Sequence, residues 1–353
     1  MKRILYVLLL VLGIALSAIA QEEEEAPLVK KPPIELYKII SIDRDTTYLD
    51  TTLNIHKMYR FNYLRKDNLE VMPFSNVGQT YNKLAYNFQS NNLRPGFVAQ
   101  GQHYSYKEAG EVNYYQVPTP LSDLYFKTAF NQGQQLDAFF TINTSENFNF
   151  SLAYKGVRSL GHYQHILTST GNFELTTNYQ GPNVRYRLRA HFTSQGLTSE
   201  QNGGLTESAL PLFIENDSEF RDRGRIDVNF EDAENALYGN RFYIEQDYNL
   251  LRPDNAKSNI RLGGVLQHEK KSYSYRQGTA YRGFGASYLN TDLNKKTSLA
   301  ESQAKAFIDL EQEYLGWLHG YINYTDYNYG YNTVLYLDDA TIGNRLKGSS
   351  VTR

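Results

Sequence analysis

No cysteine occurs in the 353 residues. That excludes disulfides, thiolate nucleophiles and cysteine-ligated metals at once. An exported chain of this length must then hold itself by packing, hydrogen bonds or closure of a sheet. Tryptophan occurs once and methionine three times. Beyond Ile14 no apolar run is long enough to cross a bilayer as a helix, and the mean hydropathy is −0.55. A positive excess is missing as well: 36 Lys and Arg stand against 38 Asp and Glu, a net charge of −2. This excludes a strongly basic nucleic-acid binder. A transmembrane β-barrel survives all these absences, because its strands dilute their hydrophobicity with lumen-facing polar residues.

The N-terminus has the layout of a secretory signal peptide. Met1-Lys2-Arg3 is a basic start, Ile4 to Ile14 is apolar, and SAIAQ over 17–21 offers Ala18 and Ala20 as the small residues of a cleavage site. Residues 1–20 are set aside on that ground, and no cysteine follows to make a lipoprotein signal. Glu22 to Glu25, with Lys30, Lys31, Pro32 and Pro33, reads as a low-complexity leader. Residues 21–120 lack clean alternation and carry prolines at 73, 95, 118 and 120. They predict an extension of loops and short strands lying outside a membrane, with strands at Tyr48–Ile55 and Lys57–Leu64.

What the chain has in quantity is tyrosine and phenylalanine, 30 and 18 residues, which favour strands. From Ser122 onward the apolar residues fall at every second position. In LDAFFTINTSENFNFSLAY (136–154), Leu136, Ala138, Phe140 and Ile142 share one face, as do Phe148, Phe150, Leu152 and Tyr154. Asp137, Thr141, Asn143, Asn149 and Ser151 lie on the other. A period of two predicts two strands joined by a polar hairpin at Thr144-Ser145-Glu146. Phe139 is an aromatic on the wet face. The same period returns in Leu124–Phe130, Phe173–Tyr179, Val184–Phe192, Ile226–Phe230, Phe242–Tyr248, Ile260–Leu266, Tyr281–Leu289, Ala304–Leu310 and Leu318–Tyr324. This gives roughly ten strands, each near the ~9–11 residues that cross a bilayer on a tilt. Polar connections, one of them over 194–222, separate them. The predicted class is all-β and antiparallel.

Alternation leaves open whether the apolar face meets a protein core or lipid. Arg185, Arg187 and Arg189 fit either case: they coat the wet side of a sandwich, or they line a lumen where cations tune permeation unless opposing acids cancel their field. If the apolar face meets lipid, Asp123, Lys127, Asp137, Asn149, Arg185, Arg187 and Arg189 line the pore. Leu136, Phe140, Ile142, Phe148, Phe150 and Leu152 then face acyl chains. Catalytic chemistry finds no footing. The seven histidines include one close pair, His162 and His165, which face opposite sides of a strand, so no metal site is expected. No G-x-S-x-G, P-loop, H-E-x-x-H or EF-hand pattern is present. Leu262-Gly263-Gly264 and the glycines at 283 and 285 lie within strand patterns, where glycine marks a bulge or close packing. Acid pairs such as Glu231-Asp232 and Asp338-Asp339 read as solvated loop ends. No enzyme and no cofactor is expected.

The stretch YYQVPTPLSDLYFKTAFNQGQQLDAFFTINTSENFNFSLAYKGVRSLGHYQH (114–165), with STGNFELTTNY (169–179), QNGG (201–204) and PFSNVGQTYNKLAY (73–86), resembles the Bacteroidota-type outer-membrane porin family. The resemblance runs from about residue 30 to at least residue 250. It implies an exported transmembrane β-barrel over 121–353, complete or as the N-terminal part of one, preceded by a periplasmic extension over 21–120. Its partners would be outer-membrane lipid, small hydrophilic solutes and the insertion machinery, and an oligomer is compatible with it. A non-conducting structural or assembly barrel is the alternative. The family offers no catalytic motif to carry over. Its members are usually longer and finish in an aromatic-ended strand, whereas this chain finishes GSSVTR (348–353). An N-terminal portion of a longer member is expected on that ground.

Overall fold

The computed structural model describes residues 32–52, 54–66, 71–85, 97, 104–129, 133–216, 218–251, 258–286, 289, 292–313, 316–334 and 343–352. Two compact units divide the chain, Met1–Pro33 and Ile34–Arg353, and every element below belongs to the second. The expected signal peptide over 1–20, Glu22–Glu25, Asn87–Asn92, Pro95, Phe130, Asn131-Gln132 and Asp338-Asp339 lie outside the described residues.

The sheet carries the fold. Ten strands hydrogen-bond in chain order, each to its sequence neighbours: β6 (Leu121–Ala129), β7 (Gly133–Ser145), β8 (Phe148–Ser159), β9 (Thr168–Gln180), β10 (Tyr186–Gln201), β11 (Ala233–Asn249), β12 (Ser258–Gln277), β13 (Leu293–Gln312), β14 (Gly316–Val334) and β15 (Gly343–Thr352). All pairs are antiparallel. The all-β reading stands. Links at one end of the sheet are short, at 146–147, 181–185, 250–257 and 313–315; those at the other reach 202–232 and 278–292. The longest holds α1 (Ala209–Ile214).

Three expectations change. β12 and β13 are 20 residues long, roughly 65 Å at ~3.3 Å per residue, well beyond a bilayer crossing. Ile226–Phe230 and the described part of Tyr281–Leu289 are loop rather than strand. Ile226 is fully buried and Val228 makes a single bridge to Leu205, so alternation at 226–230 reflects burial of a loop; 282–284 form a 3-10 turn on which Phe284 is exposed. The polar C-terminal run lies within β15, paired to β14 up to Thr352.

The register aligns alternation across strands into two faces. One row runs Phe140, Leu152, Leu175, Phe192, Phe242 and His268; the next runs Thr177, Ala190, Ile244, Leu266, Ala304 and Tyr324. This apolar face is bare: Phe242 and Leu266 are each 60% exposed and Ile322 64%. On β10–β14 its apolar rows occupy the half of the sheet near the short links, while on β6–β9 Phe126, Leu136, Tyr154 and Phe173 carry it further. Toward the long links the same face of β10–β14 turns polar, with Ser194, Asn240, Lys270 and Asn328 in one row interrupted by Ala300. Aromatic rings rim the apolar half, Tyr179 against Tyr186 at 6.1 Å and Phe192 against Phe242 at 4.6 Å.

The opposite face is polar and covered. Five short strands precede the sheet: β1 (Lys38–Ile40), β2 (Thr46–Tyr48), β3 (Val71–Pro73), β4 (Tyr81–Lys83) and β5 (Tyr114–Gln116). They form two small sheets, β2-β1-β5 and β3-β4. The expected strand at Lys57–Leu64 is instead a 3-10 turn over Ile55–Arg60, capped by Asn54, and that at Tyr48–Ile55 is mostly loop. The described parts of 34–117 lie on the polar face. Tyr63, Val71 and Tyr81 pack on Val157, and Tyr106 on Leu197, Leu237 and Tyr273. The extension is therefore not a body apart from the sheet. Phe139 finds its reason here, its ring 4.6 Å from Tyr115.

Candidate functional site

The polar face brings together side chains that alternation had put on one side of each strand. β10 offers Arg187, Arg189 and His191; β11, across the ladder, offers Asp247, Glu245 and Tyr243 at the paired positions. Arg187 donates from Nε and Nη2 to Asp247 at 3.1 and 3.0 Å. Arg189 donates to Glu245 at 2.7 Å and to the carbonyls of Ser41 and Ile42 at 2.7 and 2.8 Å. Arg44 reaches down from the covering segment to Glu245 at 2.5 Å, Asp247 at 3.1 Å and Asp309 at 3.6 Å. Arg261 and His319 complete the shell of Asp309. Burial here pulls the Arg44 guanidinium below its ordinary value, against the upward pull of Glu245 and Asp247.

A second cluster lies nearer the long links. Arg241 is fully buried. It donates to Glu269 at 3.0 Å and to the Lys107 carbonyl at 2.8 Å. Its Nε–H lies 3.2 Å from His191 Nε2. A guanidinium only donates, so Nε2 accepts and Nδ1–H is left to donate to the Tyr114 hydroxyl 2.9 Å away. Tyr243 stacks on the other side of that ring, at 4.7 Å and 5°. Tyr106 donates to Glu269 at 2.8 Å, and Lys107 N–H and carbonyl both bond Gln195. The covering segment comes this close because Gly239 lacks a side chain: a Cβ there would lie 2.1 Å from the Tyr106 hydroxyl. Gly263 has the close packing expected of it, with a Cβ position 2.2 Å from the Phe307 ring.

A third contact region holds Asn76, which donates to the carbonyls of Ser159 and Ile166 at 2.9 and 2.7 Å. Close by, Tyr63 meets Thr170 at 2.7 Å, and burial pushes its phenol up to about 12.

The residues singled out from sequence separate against this geometry. Arg187 and Arg189 share the polar face, but their ladder is matched rung for rung by acids. Arg185 lies in the turn before β10, not on the strand, with its carbonyl accepting from Asn249 N–H at 2.8 Å. Asn149 is buried in a knot, donating to Thr141 at 3.0 Å and Asn143 at 2.8 Å. Asp137 pairs with Lys155 across the ladder at 3.8 Å, and Asp123 with Arg65 at 3.7 Å. Lys127 is exposed on β6. Leu136, Phe140, Ile142, Phe148, Phe150 and Leu152 all lie on the apolar face, Leu136 and Phe140 at 40% and 38% exposure. Sequence reasoning passed over Arg44, Arg241, Glu245, Asp247, Glu269 and Asp309. The run Arg241, Tyr243, Glu245, Asp247, alternating with Phe242, Ile244 and Tyr248, carried the signal for three of these positions. Among the described residues no group of three His, Asp or Glu is placed to hold a metal.

A family profile described as "Putative porin" matches residues 33–352. No curated protein matches the chain. Among solved structures, the closed form of the ferric-catecholate import receptor Fiu from E. coli K12 is 9% identical with a TM-score of 0.36, covering 65% of this chain and 47% of that one. Its open form is 9% identical with a TM-score of 0.32, covering 71% and 54%. The chain thus spans about half the length of these structures, and so distant a likeness adds nothing to the fold already described.

Proposed function

Because the chain belongs to this porin family, we propose that it is an outer-membrane barrel protein through which small hydrophilic solutes diffuse, with the polar face as lumen wall and the apolar rows against lipid. Family membership implies a non-enzymatic transport protein. The observation that carries the rest is the bare apolar half of a face whose reverse is a continuous hydrogen-bonded polar surface. Lipid is the solvent that makes such exposure favourable. The signal-like N-terminus supports export, and insertion machinery of the outer membrane is the expected partner in assembly.

On this reading the described parts of 34–117 lie inside the lumen rather than free in the periplasm, and they narrow the path. Arg44 is their charged foothold. The full-length protein in planar bilayers is expected to give stepwise ohmic currents, and Arg44→Glu, which sets a carboxylate against Glu245, Asp247 and Asp309, is expected to raise the unit conductance. A folded, inserted protein that gives no steps with either side chain would favour the second reading, a non-conducting assembly barrel. The density of bonds from 34–117 to the polar face is what supports that alternative.

The arginine ladder takes a different role from the anion selector that its spacing alone implies. With Asp247 and Glu245 on the facing rungs, the two fields largely cancel. Reversal potentials are expected to show little selectivity from this region in the native protein. Glu245→Gln with Asp247→Asn unmasks Arg187 and Arg189 and shifts the preference toward anions. An unmoved reversal potential in that variant would remove the ladder from the conduction path.

A further inference from the structure

Beyond the last apolar row, the outward face of β11–β14 changes character within one pair of residues. The last mainly apolar row runs Ile244, Leu266, Ala304 and Tyr324; the next holds Phe242, His268, Ser302 and Asp326, and the one after it Asn240, Lys270, Ala300 and Asn328. The row after that holds Tyr238, Ser272, Ser298 and Gly330. Together with Lys271 and Leu299 these residues line a shallow concavity of about 500 Å³. Its floor is shallow because Ser272, Ser298, Ala300 and Gly330 are small; Tyr238 and Lys270 form the walls. Ammonium, amide and hydroxyl donors converge on it from Lys270, Asn240, Ser272, Ser298 and Tyr238.

The state of the cations separates this place from the rest of the sheet. Lys271, one residue along and on the polar face, bonds Glu108 at 2.7 and 2.8 Å and lies 3.6 Å from Glu269. Lys270 is exposed, and among the described residues it has no carboxylate partner. Lys296, further along the same face beside Ser274, is in the same condition. The outward carboxylates of these strands stand elsewhere: Glu234 faces Arg276, and Asp326 faces Ser302 across the ladder from His268. Solvated lysines on a soluble protein need no partner. A lysine two rows past an apolar band, beyond the polar row of His268, Ser302 and Asp326, sits at the depth of lipid head groups, where a basic side chain finds phosphate.

We propose that the concavity at Lys270, Asn240, Ser272 and Ser298 binds the phosphate head group of a lipid in the leaflet on the long-link side of the membrane. The lysine supplies charge, and the amide and hydroxyls supply hydrogen bonds to the phosphate oxygens. The inference rests on the membrane reading given above, in which the apolar rows below the concavity meet acyl chains. Those chains would hang from the bound head group over Phe242, Leu266 and Ala304, whose side chains border an apolar groove directly beneath.

The absence of native cysteine makes the test clean. The full-length protein is reconstituted in phosphatidylcholine vesicles containing a phosphorylated glycolipid, lipid A. A Leu266→Cys variant carries an environment-sensitive dye, and lipid retained on detergent extraction is counted by native mass spectrometry. With the dye reporting hydrocarbon, the native protein is expected to keep the phosphorylated lipid, and Lys270→Gln to lower the retained fraction about fivefold, the worth of one basic residue at a membrane surface. Lys270→Glu should abolish retention, and Lys295→Gln, on the other face, should leave it unchanged. Equal retention in Lys270→Gln, Lys270→Glu and the native protein overturns the proposal while leaving the membrane reading intact. Release of the lipid by millimolar inorganic phosphate also overturns it, because the concavity would then be a site for free phosphate. A dye reporting water overturns both.

Discussion

Leu266→Arg is expected to cost about 2–4 kcal/mol of folding free energy in a bilayer, the penalty for a cation near the midplane of a barrel's outer wall. Leu266 is 60% exposed and lies between Ile244 and Ala304, mid-strand on the apolar face. In a soluble sheet the same exposure would make the change nearly neutral, within about 0.5 kcal/mol. The two solvents thus predict different magnitudes for one substitution. Gln267→Arg is the control, since the adjacent residue points to the polar face and should stay near the neutral figure. Urea titration of protein folded into vesicles, followed by the fluorescence of the single tryptophan, reads both. Equal small costs for the two variants would end the assignment of this face to lipid.

The second large effect belongs to Arg241→Met, expected to cost about 3–5 kcal/mol, as breaking one side of a buried ion pair does. Arg241 is fully buried, and its fork ties Glu269 of β12 to the Lys107 carbonyl of the covering segment. Truncation leaves a buried carboxylate short of its counter-charge, with Tyr106 and the more distant Lys271 as its remaining partners. Removing both charges by Arg241→Met with Glu269→Leu should recover much of the loss, because a buried pair deleted whole is often close to neutral. Residues 104–108 should become open to protease in the single variant and less so in the double. Strictly additive costs would show that the pair is not the unit of stabilisation.

Arg187 and Arg189 show how far alternation could be read. Spacing placed both on the wet face, and the structure agrees. Spacing could not say what stood opposite, because the partners Asp247 and Glu245 arrive from a strand 60 and 56 residues away, across a link that includes α1. A one-residue change of register would have turned these acids to the other face. Phe139 is the same case in apolar form. It stayed an anomaly until Tyr115 was found against it. Arg241 was passed over because a lone arginine in a strand carries no mark of burial; its meaning comes from Lys107, Glu269 and His191 converging on it.

The sequence by itself determined the class and the sidedness. A period of two is local, imposed by the strand pleat on each residue in turn, so the apolar positions from Leu136 to Tyr324 could be assigned strand by strand. Family resemblance was legible in contiguous segments for the same reason. Tertiary structure decided what covers the polar face, which charges neutralise one another, and where along each strand the apolar rows stop. Those depend on register and on contacts between residues far apart in the chain, such as Arg44 with Glu245 and Asp309. Such pairings follow from closing long loops around a particular ladder, and no local pattern encodes them.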